Sequence, residues 1–236
     1  MNTRLNPTSN GLMHVGHAYL ALINWRVAWT TGGRFILRFD DNQRNWINLL
    51  GAPQMRHFAH LWIRDLLWLG LQPDEILYQS ELEHQSHPVL HALLPGLEPP
   101  CEYPQVPLTP WTDSPQYPYT PWLTAEVVWA DWYSGVDHLI VGEDLLSRFS
   151  LYCWMADAMC IPHQIPHTYI PRLLCKNGEQ VDTVSKTNGA WKIATLRERG
   201  MSPSQVLDML ARACLVDPGG EWDIANIKAH PLIEAT

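Results

Sequence analysis

Residues 3–25 read TRLNPTSNGLMHVGHAYLALINW, and the fold turns on how that stretch is parsed. RLNPT reads as a short strand ending in a Pro-containing loop. After His17, Leu20, Ile23 and Val27 recur at helical spacing. His14, Gly16 and His17 stand at the doorway of that helix. A helix start exposes unpaired N–H groups and a partial positive charge, so phosphate binds there readily. Gly16 would let a nucleotide come close to the backbone. Two imidazoles can donate hydrogen bonds to phosphoryl oxygens as charge develops at phosphorus. Standing alone, these residues fit two structurally satisfied histidines more readily than a site, so the rest of the chain has to decide.

Outward from this stretch the pattern alternates. RFILRF is a buried strand that runs into Asp40 and Asp41, and APQMRHFAHLWIRDLLWLG is a helix stopped by Gly70. EILYQS is a third strand, and ELEHQSHPVLHALL a helical stretch interrupted at Pro88. Nine prolines fall between residues 95 and 121, which excludes a regular helix or a central strand there. Helix (TAEVVWADWYSG), strand (HLIVG), helix (LLSRFSLYCWMADAM) and strand (HTYIPRLL) follow. CKNGEQVDTVSKTNGAWK reads as a long polar loop, IATLRERG and SPSQVLDMLARACL as helices, and the last twenty residues as weakly patterned. Strands alternating with helices predict an α/β fold, a Rossmann-like doubly wound parallel sheet with ligands at the carboxyl ends of its strands.

Composition narrows the class. With 46% hydrophobic and 17% charged residues the chain is globular, and no apolar run reaches membrane-spanning length. A net charge of −8 disfavours non-specific nucleic-acid binding. Five cysteines at irregular spacing, with no signal peptide, predict reduced thiols in a cytoplasmic protein, and a monomer is expected. Cys160, His163, His167 and Cys175 are metal-like residue types, but their spacing is loose and favours structural roles.

The opening stretch, followed by GGRFILRFDD, resembles the catalytic domain of class I glutamyl-tRNA synthetases. The glutaminyl enzymes and the short glutamyl-queuosine tRNA synthetase paralogue share the pattern. The family opens with Arg-x-x-Pro-Ser-Pro-Thr-Gly-x-x-His-x-Gly, and here Arg4, Pro7, Gly11, His14, Gly16 and His17 hold corresponding places. Asp40 and Asp41 stand for a Glu-Asp strand end. Thr183 to Thr187 match the family's Lys-Met-Ser-Lys-Ser loop from its second position on, and LRERGMSPSQVLDML looks like its Leu-Arg-x-x-Gly-x-x-Pro-x-x-Leu segment.

The resemblance implies a class I aminoacyl-tRNA synthetase core that activates an amino acid with ATP, glutamate or a related one. It implies His14, His17 and Lys186 as catalytic groups and Mg2+ with the ATP. Thr8, Gly11, His14, Gly16, His17, Val184, Ser185 and Lys186 would bind ATP. Arg4, Asn6, Asp40, Trp122, Leu123 and Val141 would line the amino-acid site, with Arg4 on a carboxylate and Asp40 on the ammonium group. No metal ligand set is expected. The implied organisation is a first half-domain (1–94), a shortened Pro-rich insertion (95–121), a second half-domain (122–175), and the Ser-Lys loop with a small C-terminal helical segment (176–236). No anticodon-binding domain is expected.

Three departures stand out. Val141 occupies the place of the arginine by which the family reads glutamate, and Asp40 is one methylene shorter than the family's glutamate. Residues 65–147 hold thirteen Asp and Glu and no Lys or Arg, the wrong sign for embracing a phosphate backbone. Around Lys186 the sign reverses, with six Lys and Arg against three acids in residues 172–199. The short paralogue's zinc cluster lies in the insertion, where this chain has only Cys101, so no zinc is expected. The acceptor of the activated amino acid therefore stays open between a tRNA end, a tRNA base and a non-tRNA molecule. A nucleotidyltransferase and a non-catalytic binding paralogue remain as competing classes.

Overall fold

The computed structural model describes residues 1–93, 121–161, 165–177, 180–184 and 191–234. Its centre is a parallel sheet. Strands β1 (Thr3–Leu5), β2 (Phe35–Phe39) and β3 (Glu75–Tyr78) pair in that order, and β4 (Leu139–Gly142) pairs with β5 (His167–Ile170). β4 lies beside β1. There the Asp137 and His138 N–H groups donate to the Asn2 carbonyl at 3.1 and 3.3 Å. The strands thus line up β3-β2-β1-β4-β5, with the chain reversing its direction of growth between β1 and β4.

Alternation along the strands explains the two covered faces. Phe35, Leu37, Phe39 and Ile140 enter one core with α1 (Val15–Thr30) and α3 (Ala52–Trp68). Ile36, Leu139 and Val141 enter a second core with α4 (Gln79–Leu93), α5 (Pro121–Tyr133) and α6 (Phe149–Ala158). Asn24 of α1, fully buried, donates to the Ile140 carbonyl at 3.1 Å and ties the first helix to β4. At the end of α3, Gly70 takes φ +79°, a conformation open to glycine, and stops the helix as expected.

Several elements differ from the sequence reading. A short helix, α2 (Arg44–Leu50), follows the Asp40-Asp41 edge; none of its residues is buried, so it carries no apolar stripe to announce it. α4 runs unbroken through Pro88. An interior proline costs about 3 kcal/mol, and burial of Leu82 and Leu90 opposes that cost. The stretch before α6 is a 3-10 turn over Glu143–Arg148.

The polar run after Leu173 is also not a plain loop. Its first part forms an antiparallel hairpin, β6 (Leu174–Asn177) with β7 (Gln180–Thr183), and β8 (Leu232–Glu234) adds to β6 in parallel. Cys175 and Ile233 sink from this small sheet into the main core. Cys160 is exposed and Cys175 buried, so these two metal-like residues have structural surroundings; His163 lies outside the described residues. α7 (Ile193–Glu198) and α8 (Pro203–Cys214) follow. Ser202 caps α8 in a reciprocal pair with Gln205, and Val206, Leu210 and Cys214 form its buried face. Most of the Pro-rich window, with Cys101, lies outside the described residues. Among the described residues no helix is long and apolar enough to cross a membrane.

Candidate functional site

Two cavities open near the carboxyl ends of the parallel strands and share Leu145 in their walls. The larger, about 350 Å3, is lined by His14, Gly16 and His17 from the start of α1 and by Gly142 and Asp144 at and after the end of β4. Thr183 and Val184 close it from the β7 side. His14 is the N-cap of α1, with extended backbone. Its N–H donates to His17 Nδ1 at 3.4 Å, and the two rings stack with centroids 3.6 Å apart. His17 packs in turn on Trp62, at 4.4 Å. A Cβ on Gly16 would sit 3.1 Å from the His14 ring, so glycine keeps the imidazole in place. His14 also bridges to Lys192, and the Ile193 N–H donates to the Met13 carbonyl at 3.0 Å. The segment beyond the Ser-Lys loop is thereby anchored on the histidine turn. Ser185 and Lys186 themselves lie outside the described residues.

Thr8 and Gly11, expected on ATP, do not line this cavity. Thr8 Oγ1 accepts from Gln43 Nε2 at 3.1 Å, and the Gly11 carbonyl accepts from Trp62 Nε1 at 2.7 Å. Both shape the loop from behind, because the chain between β1 and α1 must turn against α3.

The second cavity, about 110 Å3, takes Arg4 and Asn6 from β1 and its loop, Asp40 from the end of β2, and Val141 from β4. Sequence reading expected Trp122 and Leu123 here as well. They are buried elsewhere, and Thr124 and Val127 of the same helix line the cavity instead. Helical period is the reason: Trp122, Ala125 and Val128 form the stripe that enters the second core. Arg148, Phe149, Tyr152 and Tyr169 complete much of the wall and were not singled out from sequence.

Arg4 is not a bare fork. Its Nε and one terminal nitrogen donate to Asp131 at 2.9 and 3.0 Å. Arg38 approaches the same carboxylate at 2.8 Å, and the Tyr152 hydroxyl donates to it at 3.0 Å. Burial alone would push the Asp131 carboxyl up, but Arg38 and Arg4 outweigh it and hold it below the usual range. The network was missed because Asp131 lies on a distant helix. A signal existed, since Arg4 pairs with Ile36 and Arg38 lies two residues on, on the same sheet face. Two buried guanidinium groups on one face require a carboxylate.

Asp40 and Asp41 have separate tasks. Asp41 accepts from the Ser80 N–H and hydroxyl at 2.9 and 2.8 Å and holds the start of α4, a structural role. Asp40 is 3% exposed. Its Oδ2 accepts from Gln43, while its Oδ1 has no hydrogen-bond partner. Burial pushes its carboxyl up to about 6. Burial also lowers His167, so a neutral ring lines this cavity at pH 7.

With this geometry in place, likeness to known proteins can be stated. Residues 1–96 match the family of class I tRNA synthetases (E and Q), catalytic domain. Over its first 96 residues the chain is thus similar to the catalytic domain of class I glutamyl-tRNA synthetases. Over 83 residues the synthetase-like domain is 39% identical to the glutamate–tRNA ligase of Pyrococcus abyssi, a match covering 34% of this chain and 13% of that protein. Its match to glutamate–tRNA ligase 2 of Erythrobacter litoralis is 42% identical over 83 residues, covering 35% of this chain and 17% of the other. The matched part is therefore a small fraction of those relatives.

Among solved structures, the glutamate tRNA ligase of Elizabethkingia meningosepticum in complex with its amino acid superposes with a TM-score of 0.71. That match has 16% identity and covers 99% of this chain and 66% of that one. Tyrosyl-tRNA synthetase of Aeropyrum pernix gives 0.55 at 15% identity, over 81% of this chain and 58% of the other. At such identities the likeness is one of fold.

One further group of side chains was missed from sequence. Glu83 and His87 of α4 and Glu126 of α5 bring ligand atoms within 4.8 Å of one another. The Glu83-x3-His87 spacing on a helix was the available signal.

Proposed function

We propose that this chain activates an amino acid with ATP, forming an aminoacyl-adenylate and pyrophosphate, with glutamate or a related amino acid as substrate. The observation that carries the reading is Asp40 Oδ1. It is a buried carboxylate oxygen without a partner, in a cavity that adjoins the histidine cavity through Leu145. An ammonium group supplies the hydrogen bond and the charge that this oxygen lacks. The α-carboxylate of the same amino acid then faces the ATP side and attacks the α-phosphorus.

Side chains do little covalent work in such a displacement; positioning and charge stabilisation dominate. His14, His17 and the backbone around Gly16 hold the phosphates. Lys186, two residues beyond Val184 in the cavity wall, neutralises the departing pyrophosphate. Asp144 is the carboxylate in that wall, a fitting oxygen donor for a Mg2+ carried in on ATP. Residues 65–147 have no Lys or Arg, so the acceptor is either a non-tRNA molecule or a tRNA held by a smaller contact near Lys186.

Amino-acid-dependent ATP–pyrophosphate exchange, run over the twenty amino acids with and without tRNA, tests this. Exchange with at least one amino acid is expected, and silence under every condition refutes the proposal. Lys186→Ala should cut exchange at least about a hundredfold with unchanged folding; undiminished exchange would remove Lys186 from the mechanism.

A further inference from the structure

The Glu83, His87 and Glu126 group lies between α4 and α5, and none of the three lines the histidine cavity. His87 Nε2 lies 2.7 Å from Glu126 Oε1, and Glu83 stands one helical turn before His87. A zinc-class ion bonds nitrogen and oxygen at about 2.0–2.2 Å, so its ligand atoms lie about 3–4 Å apart. The three atoms here fall within 4.8 Å, so small side-chain movements suffice to close on one ion.

The surroundings hold the two acids in place. Asn42 Nδ2 donates to Glu126 Oε2 at 3.1 Å, and Glu83 is also hydrogen-bonded to Asn42. Asn42 Oδ1 is buried and has no hydrogen-bond partner. Gln79, fully buried, donates to the Glu126 carbonyl at 3.3 Å, and its Oε1 likewise has no partner. Two carboxylates, both held by Asn42, thus meet at one imidazole. Trp122 stacks edge-on against His87 at 5.4 Å and shields one side. This is the arrangement of ligands oriented by neighbouring amides and a hydrophobic wall.

We propose that Glu83, His87 and Glu126 form a site for a divalent transition-metal ion of the zinc class, which clamps α4 to α5. The ligand set is one imidazole nitrogen and two carboxylate oxygens, with a remaining position for water or an amide oxygen. No thiolate takes part. Through Asn42 the clamp steadies the loop that carries Asp40, so the ion is a structural support for the second cavity and not a reactant.

The test uses the full chain, stripped with chelator and titrated with Zn2+ by calorimetry and with Co2+ by absorption. One equivalent of Zn2+ should bind and raise the thermal midpoint. The Co2+ form should show ligand-field bands without the thiolate charge-transfer band that cysteine sites give. His87→Gln, at a half-buried position, should keep the circular dichroism of the parent and lose that equivalent. Asn42→Ala, which removes only an orienting amide, should weaken binding by about 10–100-fold. The inference is overturned if no ion binds, if His87→Gln binds with parental affinity, or if thiolate charge transfer accounts for all the bound Co2+.

Discussion

The two cavities that meet at Leu145 are built in opposite ways. The histidine cavity takes His14, Gly16 and His17 from a single helix turn, whose N–H groups come with the helix itself. The second cavity gathers residues from β1, β2, α5, β4, α6 and β5, and its charge balance is set by Asp131, which was not in view from sequence. The histidine turn of the first is local, whereas every key group of the second is brought in by packing. The first should yield to small changes in one turn. The second should fail wherever the distant elements stop supporting one another.

The sharpest way to break this contrast is Asp131→Asn. It strands Arg4 and Arg38 in the interior, and unfolding free energy should drop by about 3–5 kcal/mol, read in denaturant. ATP binding by the remaining folded protein should be unchanged, since Arg4, Arg38, Asp131 and Tyr152 do not line the histidine cavity. Loss of ATP affinity equal to the loss of stability would erase the distinction between the two cavities.

Asp40 gives the next largest effect. Its carboxyl has a folded value of about 6 against an ordinary 3.8, so the folded state keeps a proton that the unfolded chain releases. Stability contributed at low pH is therefore lost as pH rises from about 4 to about 6, by on the order of 3 kcal/mol. Asp40→Asn should flatten that part of the pH–stability curve and leave the protein more stable at pH 8. The same variant should raise the amino-acid KM at least about a hundredfold, with the ATP KM within about threefold. In the parent, amino-acid binding should grow as pH passes through about 6 and the carboxylate ionises. An unchanged pH profile in the variant would show that another group titrates.

Gly16→Ala is a smaller, local test. Its Cβ would press on the His14 ring at 3.1 Å. The ATP KM should rise about tenfold and stability change by less than about 1 kcal/mol, with amino-acid binding untouched. The last is Val141→Arg, which introduces the arginine expected there from the family resemblance. A guanidinium at this buried position costs about 1–3 kcal/mol without an acid opposite it, and glutamate should recover part of that loss as a higher thermal midpoint. Equal stabilisation by glutamine would mean that Arg4 and Arg148 already govern the side-chain pocket.

These contrasts mirror what could be read beforehand. Thr3 to Trp25 announced strand, loop and helix because its signals lie within one or two turns of each other, and the Asp40 strand end was visible for the same reason. Asp41 belonged to the structural side of its pair, which only Ser80, far along the chain, could reveal. Trp122 and Leu123 were carried over by position, yet the rotation of α5 turned Thr124 and Val127 to the cavity instead. The β6–β7 hairpin escaped because it is held by β8 from the far end of the chain, not by an alternating pattern of its own.

The sequence by itself determined the alternating α/β order, the two covered sheet faces and the helix start at His14. All three follow from periodicities of two and 3.6 and from glycine and helix-end chemistry. The tertiary structure alone decided which carboxylate neutralises Arg4 and Arg38, which face of α5 meets the second cavity, and that Glu126 joins Glu83 and His87. Each of those depends on the distance between groups remote in the chain, and Coulomb interactions and hydrogen bonds have no sequence period to betray them.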